Sequence, residues 1–438
     1  MVLPPLWASG ALRRPVFDTD ALLARARAKT GLSDFGDRWF EQPLLVLARA
    51  LQKEANLNAL GRFAAYGQLI KLLRDRLWTQ HWLSAYPEIL AQPLPPPVVV
   101  IGPMRSGTTR LHRLLAADTR FAHLRFFETV SPVPPPDLRG RPVYAEQADP
   151  RLIEARRILR AVRAANPATA RIHPSAPLAP EEELGLLVAS AWGMKHDAQW
   201  NVPSYSQWCA RQNPLPAYRH LVTLLRLVSW LRGDDGARPW VLKSPQHMLD
   251  LPALLGVFPQ ARLIFIHRDP ARVVGSACSL SWNQTIIHSD VTDPQAMGQK
   301  WLRQTGQQIE RMQRARKSLA HGQALDVRYA DMETDWSAVL HRIYDFLGED
   351  IAPALPAMEA YVARSEALGH ARQHCYDLAS FGLGPRQVRE HFAAYIDAYA
   401  IPVDEPIHTG RPEMTAIGRG ARPIRPAVLP SGSLPGTG

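Results

Sequence analysis

The sequence predicts an α/β protein: a parallel sheet wound by helices, with a helical N-terminal flank and a helical insertion. Three observations carry this. Four short apolar runs stand at Val98 to Ile101, Trp240 to Leu242, Arg262 to Ile266 and Ala324 to Tyr329. Helical pattern separates each run from the next, the alternation expected of a sheet covered on both faces. The first run passes directly into a glycine-bearing turn and an apolar-faced helix, which directs the search for chemistry to the carboxyl ends of the strands.

The elements follow in order. Leu44, Leu47 and Leu51, then Ile70, Leu73 and Leu77, fall at helical spacing over residues of about 40 to 90, so residues 1–95 read as a helical flank. Pro93, Pro95, Pro96 and Pro97 end it. Residues 96–400 form the main domain. Its insertion, about 130–235, holds the turn SPVPPPD, a basic helix from Arg151 to Arg163 and two apolar helices around Leu184 to Trp192 and Leu221 to Trp230, and is expected to contribute to an acceptor pocket. Within it Trp192, Trp200, Tyr205 and Trp208 read more readily as core than as pocket lining. Residues 401–438 read as a flexible tail, because from Thr409 the chain is rich in Gly, Pro and Ser and carries four arginines against one glutamate.

Composition narrows the function. Of 438 residues, 51 are Lys or Arg and 40 are Asp or Glu, a formal net charge of +11, which favours an acidic partner. At 46% hydrophobic and 21% charged, the bulk of the chain is neither disordered nor fibrous. Cys209, Cys278 and Cys375 are too far apart for a C-x-x-C pair or a disulfide framework, so a reducing, cytoplasmic setting is expected. The start, MVLPPLWASGALRRP, places its arginines after the apolar stretch and reads poorly as a secretory signal. No apolar run approaches the ~18 residues of a membrane span.

VVVIGPMRSGTTRLHRLL has the shape of a P-loop: strand, Gly102, four residues, Gly107, Thr108, Thr109, then a helix with Leu111, Leu114 and Leu115 on one face. Glycines permit the tight turn, and inward N–H groups with the helix dipole bind an oxyanion. A nucleoside triphosphatase has Lys directly after the second Gly. Here Thr108 stands there, and the nearest cation, Arg105, lies two residues before Gly107. The loop therefore suits one phosphate plus a terminal anionic group, and argues against a P-loop kinase. A serine hydrolase elbow is excluded at Ser106 because Met104 replaces its first Gly. A second anion site is predicted where Arg268 ends a strand, Asp269 and Pro270 open a helix, and Ser276 follows eight residues on. A guanidinium and a hydroxyl suit a phosphate monoester.

GPMRSGTT, the Arg268 to Ser276 spacing, and RYADM followed by a helix ending in FLG together resemble the sulfotransferases that use 3′-phosphoadenosine 5′-phosphosulfate. The chain is similar in particular to a bacterial branch with an N-terminal helical flank, an LKSPxH segment and a late H-x-Y-x-L-x-x-FGL element, here His374, Tyr376, Leu378 and Phe381-Gly382-Leu383. The likeness spans about residues 30 to 400. It implies a P-loop-like fold, a 5′-phosphosulfate held by Arg105, Ser106, Gly107, Thr108 and Thr109, a 3′-phosphate held by Arg268 and Ser276, and an adenine near Tyr329. Arg110 stands where the cytosolic branch has Trp.

Sulfuryl transfer asks for an in-line acceptor hydroxyl, a base, and positive charge at the leaving phosphate, and requires no metal. Arg105 is the first candidate for the leaving group and Lys243, one of only seven lysines, the second. Glu128 is the first candidate base: the resembled branch places an acid there, and Phe126 and Phe127 are expected to desolvate it and raise its pKa. His247 in LKSPQH competes. The run Glu181-Glu182-Glu183 reads as acids complementing a helix dipole. The function expected is a cytoplasmic sulfotransferase acting on a hydroxyl or amine of a small-molecule, glycan or lipid acceptor. The competing reading of a nucleic-acid binder rests only on a pI of about 9.8.

Overall fold

The structure is a computed structural model that describes residues 13–136, 149–172, 174–367 and 377–403, with isolated positions 5, 7 and 9. His374, Tyr376 and Cys375, the end of the SPVPPPD turn, and the tail from Thr409 lie outside the described residues. Four parallel strands, β1 (Val98–Ile101), β2 (Val241–Lys243), β3 (Arg262–His267) and β4 (Ala324–Arg328), form one sheet in the order β2-β1-β3-β4. Val98 sits opposite both Val241 and Arg262, so β1 is central. All four residues of β1 are buried, as its run of β-branched side chains demands of a strand covered on both faces. Each expected strand is found within one residue of its predicted end.

Helices pack on both sides. Leu111, Leu114 and Leu115 of the helix Thr108–Leu115 are fully buried against β1 and β4 neighbours such as Val100 and Val327. The helix Pro270–His288 returns along the other face, contributing Val274, Ala277 and Cys278 to the main core. With all strands parallel, Ile101, Lys243, His267 and Arg328 open onto a single edge.

The helical segment expected over about 40 to 90 is two helices, Glu41–Lys53 and Ala59–Ala85, and the flank has one more that the apolar spacing did not announce, Thr19–Thr30. That helix buries only Leu22, Leu23 and Ala26, and its limits are set by caps: the Asp18 carboxylate accepts from Ala21 N, and Gly31 closes the end at φ 71°. The flank core also takes in Trp200, Val202 and Tyr205 from the insertion. At its other end the flank is keyed to the sheet domain: Asn58 N donates to His288 O at 2.9 Å, and a Cβ at Gly61 would lie 2.0 Å from that same carbonyl oxygen.

The basic helix of the insertion runs Pro150–Ala165, and the second apolar helix Leu215–Arg232. The first apolar helix is only a short turn, Leu184–Val188, followed by Lys195–Gln199 and Pro203–Cys209. Trp192, Trp200 and Tyr205 are core residues, 2%, 1% and 1% exposed. The insertion also borders a cavity of about 250 Å³ against the flank, with Trp39, Phe40, Arg76, Ser190 and His220 among its walls. Among the described residues no helix is long and apolar enough to cross a membrane.

Candidate active site

The glycine-bearing loop leaves β1 at Gly102, where a Cβ would meet Ser106 Oγ at 2.6 Å and Ile266 O at 2.9 Å. Gly107 then caps the helix Thr108–Leu115 at φ 96°, supplying no side chain to its amino terminus. Arg105 also takes a left-handed φ of 74°. The Ser106 hydroxyl is buried without a hydrogen-bond partner. An uncapped helix end beside an unsatisfied buried hydroxyl is suited to an oxyanion, which would accept from both.

Arg268 follows β3 directly. Its Nη1 donates to Arg105 O at 3.1 Å, its guanidinium lies 3.9 Å over the Tyr329 ring, and its Nε is buried without a partner. The Tyr329 ring in turn lies on the loop: a Cβ at Gly107 would be 2.1 Å from its Cδ2. Arg105 Nε donates to Ser276 Oγ at 2.9 Å, and its Nη1 to Ile172 O at 3.0 Å. Arg105, Gly107, Arg268, Ser276 and Tyr329 therefore form one cluster of mutual contacts. Asp269 caps the helix Pro270–His288 through Ala271 N at 2.9 Å and accepts from Arg389 Nη2 at 2.7 Å, which holds the turn bearing Arg268. Nothing local to either motif pointed to Arg389, which lies 120 residues from its partner.

Lys243 closes β2 and is 1% exposed, so it is no solvated strand-end charge. Its Nζ donates to Thr109 Oγ1 at 3.3 Å and to the Glu182 carboxylate. Glu183 accepts from Lys243 N at 2.9 Å and pairs with His247 Nε2, while His247 Nδ1 meets Tyr218 OH at 2.8 Å. The acidic run is thus wired to β2 and the segment after it, and the reading of it as a mere complement to a helix dipole is corrected: Glu182 and Glu183 bond the candidate site residues Lys243 and His247. The helix they precede is only five residues long, and their partners lie about 60 residues away, beyond any local signal. Burial alone would raise the Glu183 pKa, but the adjoining His247 pulls it below the ordinary value. His112, from the loop helix, is fully buried with both ring nitrogens unpartnered, and burial with the nearby Lys243 charge pushes it down to about 3.

Glu128 departs from expectation in one respect. It is buried, as Phe126 and Phe127 suggested, and burial acts to raise its pKa. Two guanidiniums reverse the sign: Arg232 Nε reaches Glu128 Oε1 at 2.8 Å and its Nη2 the other oxygen, while Arg125 supplies its backbone N–H at 2.8 Å and Nη2 at 2.6 Å. The carboxyl is held well below the usual carboxylate range. His247 is likewise 0% exposed, with both ring nitrogens engaged. Among the described residues no group of three or more His, Cys, Asp or Glu side chains gathers as a metal site.

The chain is similar to known proteins over most of its length. A profile described as the sulfotransferase family matches residues 96–353. The omega-hydroxy-beta-dihydromenaquinone-9 sulfotransferase Stf3 of Mycobacterium bovis is 26% identical over 325 residues, 69% of this chain and 75% of that protein. Among solved structures, sulfotransferase STF1 of Mycobacterium tuberculosis superposes with a TM-score of 0.75 at 30% identity, over 87% of this chain and all of the other. Sulfotransferase STF9 of Mycobacterium avium gives 0.76 at 25% identity, over 89% and 98%.

Proposed function

Because the chain belongs to the sulfotransferase family, we propose that it moves the sulfuryl group of 3′-phosphoadenosine 5′-phosphosulfate to a hydroxyl of a small or medium, lipid-like acceptor in the cytoplasm. The name of the Mycobacterium bovis relative, which specifies an ω-hydroxyl on a dihydromenaquinone, supports the hydroxyl and the lipid character. The observation that carries the donor reading is the linkage of the two predicted anion-binding segments: Arg268 bonds the carbonyl of Arg105, and Arg105 bonds Ser276.

In this reading Ser106, Gly107, Thr108 and Thr109 present the Ser106 hydroxyl and the helix N–H groups to the 5′-phosphosulfate. Arg268 and Ser276 take the 3′-phosphate, and Tyr329, clamped between Gly107 and Arg268, offers a face near the adenine. Lys243, already in contact with Thr109, meets the charge that develops on the leaving phosphate. Arg105 joins the two ends of the donor through its bond to Ser276. The cations alone supply electrostatic stabilisation, without a metal.

The test is differential thermal stabilisation. Adenosine 3′,5′-bisphosphate in EDTA is expected to raise the melting temperature, whereas Mg-ATP and a random oligonucleotide leave it in place, since only a ligand specific to the folded state stabilises by mass action. Stabilisation by Mg-ATP alone would turn the assignment towards a kinase, and by the oligonucleotide alone towards a nucleic-acid binder.

A further inference from the structure

Four titratable side chains are candidates for the proton acceptor, namely Glu128, Glu182, Glu183 and His247, and three of them are closed off. Glu128 is 0% exposed with both oxygens held by Arg125 and Arg232. Glu183 is 1% exposed and His247 0%, each saturated by the other together with Lys243 N and Tyr218 OH. Glu182 differs. Its side chain is 19% exposed, and one oxygen meets Lys243 Nζ while the second has no hydrogen-bond donor among the described residues. Through Lys243 it stands one cation away from Thr109 of the loop.

We infer that Glu182 is the base that takes the acceptor's proton, and that it serves as the counter-ion of Lys243 until the donor arrives. This inference rests on the sulfuryl-transfer reading above. A phosphosulfate seated on the loop brings anionic oxygens to Lys243, which then has a stronger partner than a single carboxylate. Glu182 is released beside the reacting group. In the transfer step the acceptor oxygen forms a bond to sulfur, and its proton passes to a Glu182 carboxylate oxygen. The bond from sulfur to the bridging oxygen breaks, leaving the electron pair on the phosphate of the bisphosphate product, where Lys243 stabilises it. The same ion pair thus keeps a buried ammonium compensated before the donor binds and becomes the catalytic pair afterwards.

The experiment follows release of adenosine 3′,5′-bisphosphate from the donor, with farnesol as a primary-alcohol probe and with water alone, beside calorimetric binding of the bisphosphate. In Glu182→Gln, release is expected to fall by about 10²-fold or more, while bisphosphate affinity stays within about threefold of wild type. Glu182→Asp is expected to recover part of the rate, and Glu182→Ala to regain turnover when formate is added. Release by Glu182→Gln within about threefold of wild type overturns the base role, whereas equal losses of release and bisphosphate affinity reduce Glu182 to a support for Lys243. A wild-type protein that binds the bisphosphate yet releases none from the donor removes the transfer reading and this proposal together. One that fails to bind the bisphosphate removes the donor reading and the proposal with it, whereas a wild type that binds and releases it beside an unimpaired Glu182→Gln overturns the proposal alone.

Discussion

Arg105 Nε donates to Ser276 Oγ at 2.9 Å although 171 residues separate the two in the chain. The bond joins the loop after β1 to the helix after β3, and Arg268 seals the junction from the opposite side through the Arg105 carbonyl. A ligand long enough to touch both cradles is therefore read by one rigid unit, which makes the response to substitution specific.

Arg268→Ala removes a guanidinium from the end of the cleft assigned to the 3′-phosphate. Affinity for adenosine 3′,5′-bisphosphate is expected to fall about 10- to 150-fold, the worth of a hydrogen bond to a charged group, while KM for the acceptor changes little. Titration calorimetry and steady-state kinetics separate the two effects.

Gly107→Ala places a methyl group where the Tyr329 ring already lies and forces an L-residue to φ 96°. A stability loss of at least about 1–3 kcal/mol is expected, together with loss of bisphosphate binding. Gly384→Ala, where a Cβ meets nothing within 4 Å, is the matched control and is expected to leave binding intact.

Lys243→Ala is expected to lower kcat by about 10²- to 10³-fold while the bisphosphate, which lacks the sulfuryl group, still binds. Lys243→Arg is not expected to restore the rate, because a planar fork cannot meet Thr109 and Glu182 as a compact ammonium does. Single-turnover measurements distinguish the chemical step from product release.

Glu128→Gln leaves two arginines without their shared carboxylate and is expected to cost about 3–5 kcal/mol, read from the denaturant midpoint. The pH dependence has a definite sign. The folded pKa lies below the ordinary value of 4.5, so the stabilisation is present above that value and is lost as pH falls beneath it. The gap between wild type and Glu128→Gln should therefore be widest near neutrality and narrow through the acid range.

The four strands, the loop and the Asp269 cap were legible because each depends on residues within a few positions of one another. The flank helix Thr19–Thr30 was missed because only three of its residues are buried, leaving a weak apolar period. The sign of the Glu128 shift was misread for a different reason. Its aromatic neighbours are adjacent in sequence, but the guanidinium that decides the charge state, Arg232, comes from a helix 104 residues later. Glu182 and Glu183 were obscured in the same way, since an acidic run before an apolar segment looks identical whether it faces water or β2. Local pattern reports what a segment can form, and long-range charge pairing decides what it does.

The helix Pro270–His288 carries Ser276 near its start and receives Asn58 and Gly61 of the flank at its last residue. A version of the protein trimmed to begin at β1 would strip the support from the far end of that rod and expose the apolar wall formed by Trp200, Val202 and Tyr205. The shortest autonomous transferase should therefore keep its leading helices, and recombination between homologues is best placed downstream of Asp290, past the bonds that tie Asn56 and Asn58 to Ser289 and Asp290.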